Sequence, residues 1–534
     1  MMDSSKATSA VRTGALALAA GVVAALAHPP FGFIVGILAY GALMWLGDGA
    51  RTSRSAFWRG WLCGLGYFAV SCWWIAEAFF VDAETFGWMA PFAVSLLAGG
   101  LALFWGIALA VYRRIAPRGS VRLLVFAGVF AGFEWLRGHI FTGFPWNLPG
   151  ESWAAGGLIS QSARLFNAYG MTWLTLALGA TPALLIRDPR GRGAQIAAAA
   201  ALTVFAGMAA YGATRVSEIP TGEILRVRVV QPDVPQAAKY DDALYASIVA
   251  RYLRLTAVAP RNGGPPPQVI VWPEGALPRP LDAMLAPGDE VREAITSVLR
   301  PGQILILGGW RRDLGPRGQR SFNSLVAVRR TSDGLETLGV YDKHHLVPFG
   351  EYVPRLFAAA GLQQLVPLEP FTPGPPSQPL DLGDLRIQPL ICYEALFPGY
   401  VWRGGRLSGR PADVIVNISN DAWFGQTSGP WQHLNQARYR AIEEGLPIVR
   451  ATPTGVSSVI DKYGRVQANA QIGLGDAGMV DGEVRLSHGR DRAWMNGVHL
   501  LSLPIRLSDV AFLAMLAISG LLAVRIPGRG SKKA

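Results

Sequence analysis

A carboxylate, an amine and a thiol follow one another in the polar stretch of this chain. They are Glu274 in Trp272-Pro273-Glu274-Gly275, Lys343 in Tyr341-Asp342-Lys343 and Cys392 in Ile391-Cys392-Tyr393-Glu394, each at or near the end of a β-rich run. These residue types point to a cysteine nucleophile, a general base and a cationic partner for an oxyanion. Cys392 is the only cysteine of the polar stretch, so it has no expected disulfide partner; Cys63 and Cys72 lie in an apolar segment. Each residue alone has a plainer reading: a small buried core residue for Cys392, a turn carboxylate for Glu274, a solvated amine for Lys343.

The elements that must position them are short and sheet-forming. Runs at 226–230, 268–272, 304–307, 324–329, 386–391, 413–418, 448–451 and 457–460 are rich in Val, Ile and Leu. Several are almost continuously apolar, as strands buried on both faces are. Helical patterns at 241–257, 289–299 and 432–444 intervene, each closed by Gly or Pro. Gly/Pro-rich breaks at 262–267 and 372–379 read as surface loops. The expected fold of this part is a sheet-rich α/β domain.

The rest of the chain belongs to another solvent. Of 534 residues, 51% are hydrophobic and only 16% charged, with a mean hydropathy of +0.27, too apolar for an ordinary soluble enzyme of this length. About eight stretches approach bilayer-spanning length: 13–27, 31–46, 57–81, 86–112, 121–136, 165–186, 194–213 and 507–524. The division this gives is a membrane domain over 1–214, a polar domain over 215–504, and a last span with a basic tail over 505–534.

Loop charges orient the spans. Lys6 and Arg12, then Arg51, Arg54 and Arg59, then Arg113, Arg114, Arg118 and Arg122, then Arg187, Arg190 and Arg192 fall on alternate connections, and Arg525, Arg529, Lys532 and Lys533 close the series. Positive loops belong in the cytoplasm, which puts both termini inside and the polar domain outside. The net charge of +12 is therefore read as topology, not as nucleic-acid binding. Glu77 and Glu134, in or near spans, are functional candidates unless paired, and Arg137 is close enough in sequence to pair with Glu134. Trp73, Trp74, Trp135 and Trp146 fit an interfacial belt.

Taken in order, the Glu274, Lys343 and Cys392 segments resemble the nitrilase superfamily, whose triad uses these three residue types in this sequence. The stretch Tyr341-Asp342-Lys343-His344-His345-Leu346-Val347-Pro348-Phe349-Gly350-Glu351-Tyr352-Val353-Pro354, joined to a multi-span part, is similar to the membrane-bound apolipoprotein N-acyltransferase branch. So are Thr142-Gly143-Phe144-Pro145-Trp146 and Gly429-Pro430-Trp431-Gln432-His433. The resemblance implies an αββα sandwich, a phospholipid acyl donor and a diacylglyceryl-modified apolipoprotein acceptor, at the bacterial inner membrane with the catalytic domain in the periplasm.

Within that resemblance Cys392 forms a thioester, Glu274 is the general base, and Lys343 with the N–H of Tyr393 holds the oxyanion. Glu351 and Glu394 resemble the family's further acidic residues, expected beside Lys343 to keep it charged. Tyr393 shapes the acyl pocket or supplies only its N–H. Two positions depart from the pattern: Tyr240 stands where the family usually carries Trp, and Pro453 where it usually has Asn. Both bear on the shape of the acyl-chain or acceptor pocket, since Tyr changes volume and Pro loses a backbone donor.

No cofactor and no metal is expected; His344, His345 and His433 are poorly spaced as ligands. Residues 357–370, apolar and downstream of Lys343, are the expected lid. Two other function classes stand beside the acyltransferase: a membrane-anchored nitrilase-like amidase, and a transporter or receptor with an external binding domain. About eight spans favour a lipid substrate over a tethered amidase, and few intramembrane charges speak against a transporter.

Overall fold

The computed structural model describes residues 4–218, 221–260, 263–315, 318–355, 358, 370–409, 411–486, 498–500 and 503–524. The chain divides into two compact units, one comprising 1–76, 89–214 and 498–534, the other 77–88 and 215–497. The stretch 498–504, expected within the polar domain, falls in the first unit. It pairs with itself as a ribbon, Val498–Leu500 against Leu503–Ile505, that runs directly into the helix Leu507–Val524.

All eight expected apolar stretches are helical over most of their length, and among the described residues six helical segments are long and apolar enough to cross a membrane. The other two, Ile34–Asp48 and Arg122–Arg137, are shorter. Ser53–Cys72 and Ala90–Ile115 pack closely because small residues line the contact. A Cβ on Gly60 would meet Trp105 O at 2.5 Å, and one on Gly64 would meet Ala102 Cα at 2.9 Å. Glu134 is buried and paired with Arg137, and Trp105 Nε1 donates to its Oε1 at 2.8 Å. Arg137 also holds the carbonyls of Phe144 and Trp146. The interfacial-belt reading needs correction at two positions: Trp74 and Trp146 are buried, their rings 4.5 Å apart, whereas Trp73 and Trp135 are exposed. Glu77 opens the segment 77–88 that clusters with the second unit.

Among the described residues of that second unit, twelve strands numbered in chain order form two sheets. The first contains β1 (Ile224–Gln231), β2 (Val269–Val271), β3 (Ile304–Gly315), β4 (Gly318–Thr331), β5 (Gly334–Asp342) and β12 (Gly478–Arg485), in the order β12-β1-β2-β3-β4-β5. The second contains β6 (Leu380–Asp381), β7 (Arg386–Ile391), β8 (Val414–Ile418), β9 (Ile448–Ala451), β10 (Ser457–Ile460) and β11 (Val466–Ile472), in the order β11-β10-β9-β8-β7-β6. The central strands β1–β3 and β7–β9 run parallel within their sheets.

Side-chain alternation explains the layers. Val227, Val229, Val269, Val271 and Ile306 face Ile387, Ile391, Val414, Val416 and Ile418 in one core between the sheets. The alternate residues Ile270, Trp272, Leu305 and Leu307 pack outward on Ile248, Val249, Tyr252 and Ile295 of the helices Tyr245–Ala257 and Glu290–Val298. The almost wholly buried helix Gly429–Glu444 packs on β9 in the second sheet. The result is an αββα sandwich. All eight expected strands are present; β5, β6, β11 and β12 add to them. In β11 and β12 exposed polar residues interrupt the apolar pattern, so neither reads as a buried run.

Candidate active site

Strand ends bring the site together. Glu274 follows β2, Lys343 follows β5, Cys392 follows β7 and Asn420 follows β8. The ends of β2 and β8 meet directly, the Asn420 N–H donating to Glu274 Oε2 at 2.7 Å. Asn323, on β4, donates through Nδ2 to Glu274 Oε1 at 2.6 Å and to Glu351 Oε1 at 2.7 Å, while its carbonyl accepts the Lys343 N–H at 2.8 Å. One amide side chain thus fixes the spacing of two carboxylates, and its backbone fixes the lysine between them.

Lys343 Nζ donates to Glu351 Oε1 at 2.9 Å and lies 3.5 Å from Glu274 Oε1. Glu351 is held in turn by the Val347 N–H at 2.7 Å. Burial works against the ammonium, but Glu351 and Glu274 outweigh it, so the Lys343 pKa rises above its ordinary value. This favours the ammonium form of the side chain.

Cys392 adopts a positive φ of 49°, the left-handed region that a β-carbon disfavours, at the turn between β7 and Cys392–Leu396. That turn is braced from below. His433 Nε2 donates to the Cys392 carbonyl at 3.2 Å; its Nδ1 lies 3.0 Å from Asp421 Oδ1, and Arg450 holds Asp421 Oδ2 at 2.7 Å. Burial opposes the Asp421 charge, yet Arg450 and His433 hold its carboxyl well below the usual carboxylate range. His433 thus supports the backbone of Cys392. The Cys392 residue keeps part of its surface exposed, but burial, reinforced by Glu274, pushes the thiol up to about 12, with Lys343 pulling the other way.

Glu394 feels the Lys343 charge, yet its hydrogen bonds go elsewhere. Its carboxylate does not hydrogen-bond the Lys343 ammonium; it accepts the N–H of His344 and His345 at 3.0 and 3.1 Å, the N–H of Ile391 at 2.8 Å, and the hydroxyls of Tyr341 and Tyr400, each at 2.6 Å. It ties the loop leaving β5 to the end of β7, and its charge and that of Lys343 also act on each other. Burial raises its pKa, and the Ile391 N–H, the Tyr341 and Tyr400 hydroxyls and the Lys343 charge oppose that rise. Tyr393 is buried, its ring 5.5 Å from that of His345 and 5.2 Å from that of Phe397. Pro453 is buried and its carbonyl accepts the Val234 N–H at 3.3 Å. The side chain of Tyr240, residues 357–370 apart from Ala358 and Pro370, and the basic residues of the tail lie outside the described residues.

Sequence reasoning missed Asn323, Asn420, Asp421 and Lys239. The available signal was position. Asn420-Asp421 lies just beyond the apolar run of β8, one residue past its end, as Glu274 and Cys392 lie beyond β2 and β7.

A family profile described as "Apolipoprotein N-acyltransferase N-terminal domain" matches residues 20–181, and one described as "Carbon-nitrogen hydrolase" matches 226–491. An apolipoprotein N-acyltransferase of Caulobacter vibrioides is 48% identical over 521 residues, covering 96% of this chain and 94% of its own. Another from Allorhizobium ampelinum is 41% identical over 478 residues, covering 86% and 88%. The crystal structure of Saccharomyces cerevisiae Nit3, a member of branch 10 of the nitrilase superfamily, aligns with 50% of this chain and 92% of its own at 19% identity and a TM-score of 0.35.

Proposed function

Because this chain belongs to the apolipoprotein N-acyltransferase family, an enzyme family of lipoprotein maturation, we propose that Cys392 carries the acyl group between a phospholipid and the α-amine of a diacylglyceryl-cysteine. The enzyme N-acylates lipoproteins in a membrane setting. The observation that carries the residue assignment is the convergence of Glu274 and Lys343 on one thiol at the strand ends.

The first step begins with a neutral thiol, since Cys392 is held well above neutral pH. Glu274 takes the Sγ proton as sulfur attacks the ester carbonyl; Lys343 and the Tyr393 N–H stabilise the oxyanion. The C–O bond breaks, the lysophospholipid oxygen takes the proton from Glu274, and a thioester remains. In the second step the acceptor amine attacks that thioester, Glu274 takes a proton from the amine, the C–S bond breaks and the departing thiolate recovers the proton. Glu351 keeps Lys343 charged and in place throughout.

We place the catalytic domain in the periplasm with both termini cytoplasmic, on the alternation of arginine-bearing loops. The amidase and transporter readings are not favoured: the similarity to the acyltransferases runs through the helical part as well as the catalytic one. The deciding experiment supplies phospholipid without acceptor. A stoichiometric burst of lysophospholipid followed by a stall is expected; steady release at full rate would indicate a hydrolase, and no release a ternary-complex mechanism.

A further inference from the structure

A second buried ammonium stands on the other side of Glu274. Lys239 lies in the turn Ala237–Tyr240, is 5% exposed, and donates through Nζ to Asn420 Oδ1 at 3.2 Å. A Cβ on Gly275, immediately after Glu274, would come within 3.6 Å of that nitrogen. Asn420 also donates its N–H to Glu274 Oε2 and its Nδ2 to Gln236 Oε1 at 2.9 Å. One asparagine therefore joins Lys239 to the oxygen of Glu274 that Lys343 does not face.

Burying an ammonium without a direct carboxylate partner is costly, and nothing in the triad chemistry requires this one. Its side-chain partner among the described residues is a neutral amide. Glu274 is the charged group acting on it, since Gln236 and Asn420 carry no charge. Burial brings its pKa down to about 8, with Glu274 opposing.

We propose that Lys239 is a positioning residue for acyl transfer: through Asn420 it anchors Glu274 Oε2 and sets a positive charge opposite Lys343, so that the base lies between two cations. The inference rests on Glu274 being the base. When Glu274 takes the thiol proton as sulfur attacks, negative charge leaves the neighbourhood of Lys239 and appears on the oxyanion beside Lys343. A charged Lys239 restrains that transfer, and its removal is expected to change the pH dependence of the step.

The test is the pH profile of single-turnover acyl-enzyme formation by full-length enzyme in phospholipid-containing micelles, followed by intact mass. Lys239→Met is expected to move the acidic limb upward by about one pH unit, while Lys239→Arg leaves the limb in place whatever it does to the maximal rate. Merely structural damage lowers the rate without moving the limb. Asn420→Ala, which keeps the N–H to Glu274 but removes the bridge, is expected to move the limb in the same direction and decides the matter if Lys239→Met does not fold. An acidic limb at the wild-type position in folded Lys239→Met, or in Asn420→Ala where Lys239→Met is unfolded, overturns the proposal. A wild-type rate in Glu274→Gln would instead overturn the assignment of the base.

Discussion

Lys343 Nζ is hydrogen-bonded to Glu351 at 2.9 Å, closer than the 3.5 Å that separates it from Glu274. The lysine thus has a dedicated counter-ion, and Glu274 can be protonated without leaving that ammonium unpaired. Glu351→Gln should lower single-turnover thioester formation less than Glu274→Gln does, because it weakens the placement of the cation and leaves the proton acceptor intact. Equal loss in both variants would show that the two carboxylates act as a unit.

Cys392→Ala is expected to abolish acyl-enzyme formation and transfer while leaving the thermal unfolding transition close to that of the parent. The side chain sits in a turn held by backbone contacts to His433, so the fold does not depend on the sulfur. Turnover by the purified variant would end the nucleophile assignment.

Glu274→Gln and Lys343→Ala should each slow thioester formation by roughly 10²–10³-fold, the range for losing a general base or an oxyanion partner. Intact mass against time after mixing with phospholipid measures this. A near-normal rate in either would remove that residue from its role.

The resting thiol should behave as a weak acid. With its pKa above the ordinary value of 9.0, Cys392 stays protonated across the neutral range and deprotonates only as pH climbs toward about 12. Alkylation of the resting enzyme by iodoacetamide should therefore keep rising, about tenfold per unit, between about pH 8 and 10. Glu274→Gln removes a negative charge that disfavours the thiolate, so alkylation in that window should quicken even as turnover falls. A plateau near pH 8 would contradict the reading.

Glu394→Ala should cost both stability and activity, since it strands three backbone N–H groups and two tyrosine hydroxyls, at about 1–3 kcal/mol for each buried group left unsatisfied. Thermal unfolding and acyl-enzyme yield should fall together, and Glu394→Gln, which retains acceptor oxygen, should recover part of both. An unaltered unfolding transition in Glu394→Ala would show that the clamp is not structural.

Reporter fusions after Arg215 and after Lys533 are expected to report opposite sides of the membrane. The same side for both would overturn the topology.

The types and order of Glu274, Lys343 and Cys392, the apolar runs that carry them and the helical stretches were legible in the sequence because each is a local property: residue chemistry, apolar period and length. Glu351 was legible through the motif that contains it. What the chain order could not disclose is which strand ends meet, because sheet order joins residues far apart. Asn323 becomes a bridge only when β4 lies beside β5, and Asn420 reaches Glu274 only when β2 and β8 end together. Glu394, two residues from the thiol, is expected near Lys343, and its charge does act on that ammonium, but the sequence does not disclose its hydrogen-bond partners. Packing turned its carboxylate to the donors of the β5 and β7 ends, because a buried carboxylate settles where unpaired donors converge. Lys239 was unremarkable in Gln236-Ala237-Ala238-Lys239-Tyr240 and became a charged neighbour of the base only through burial against the turn after Glu274.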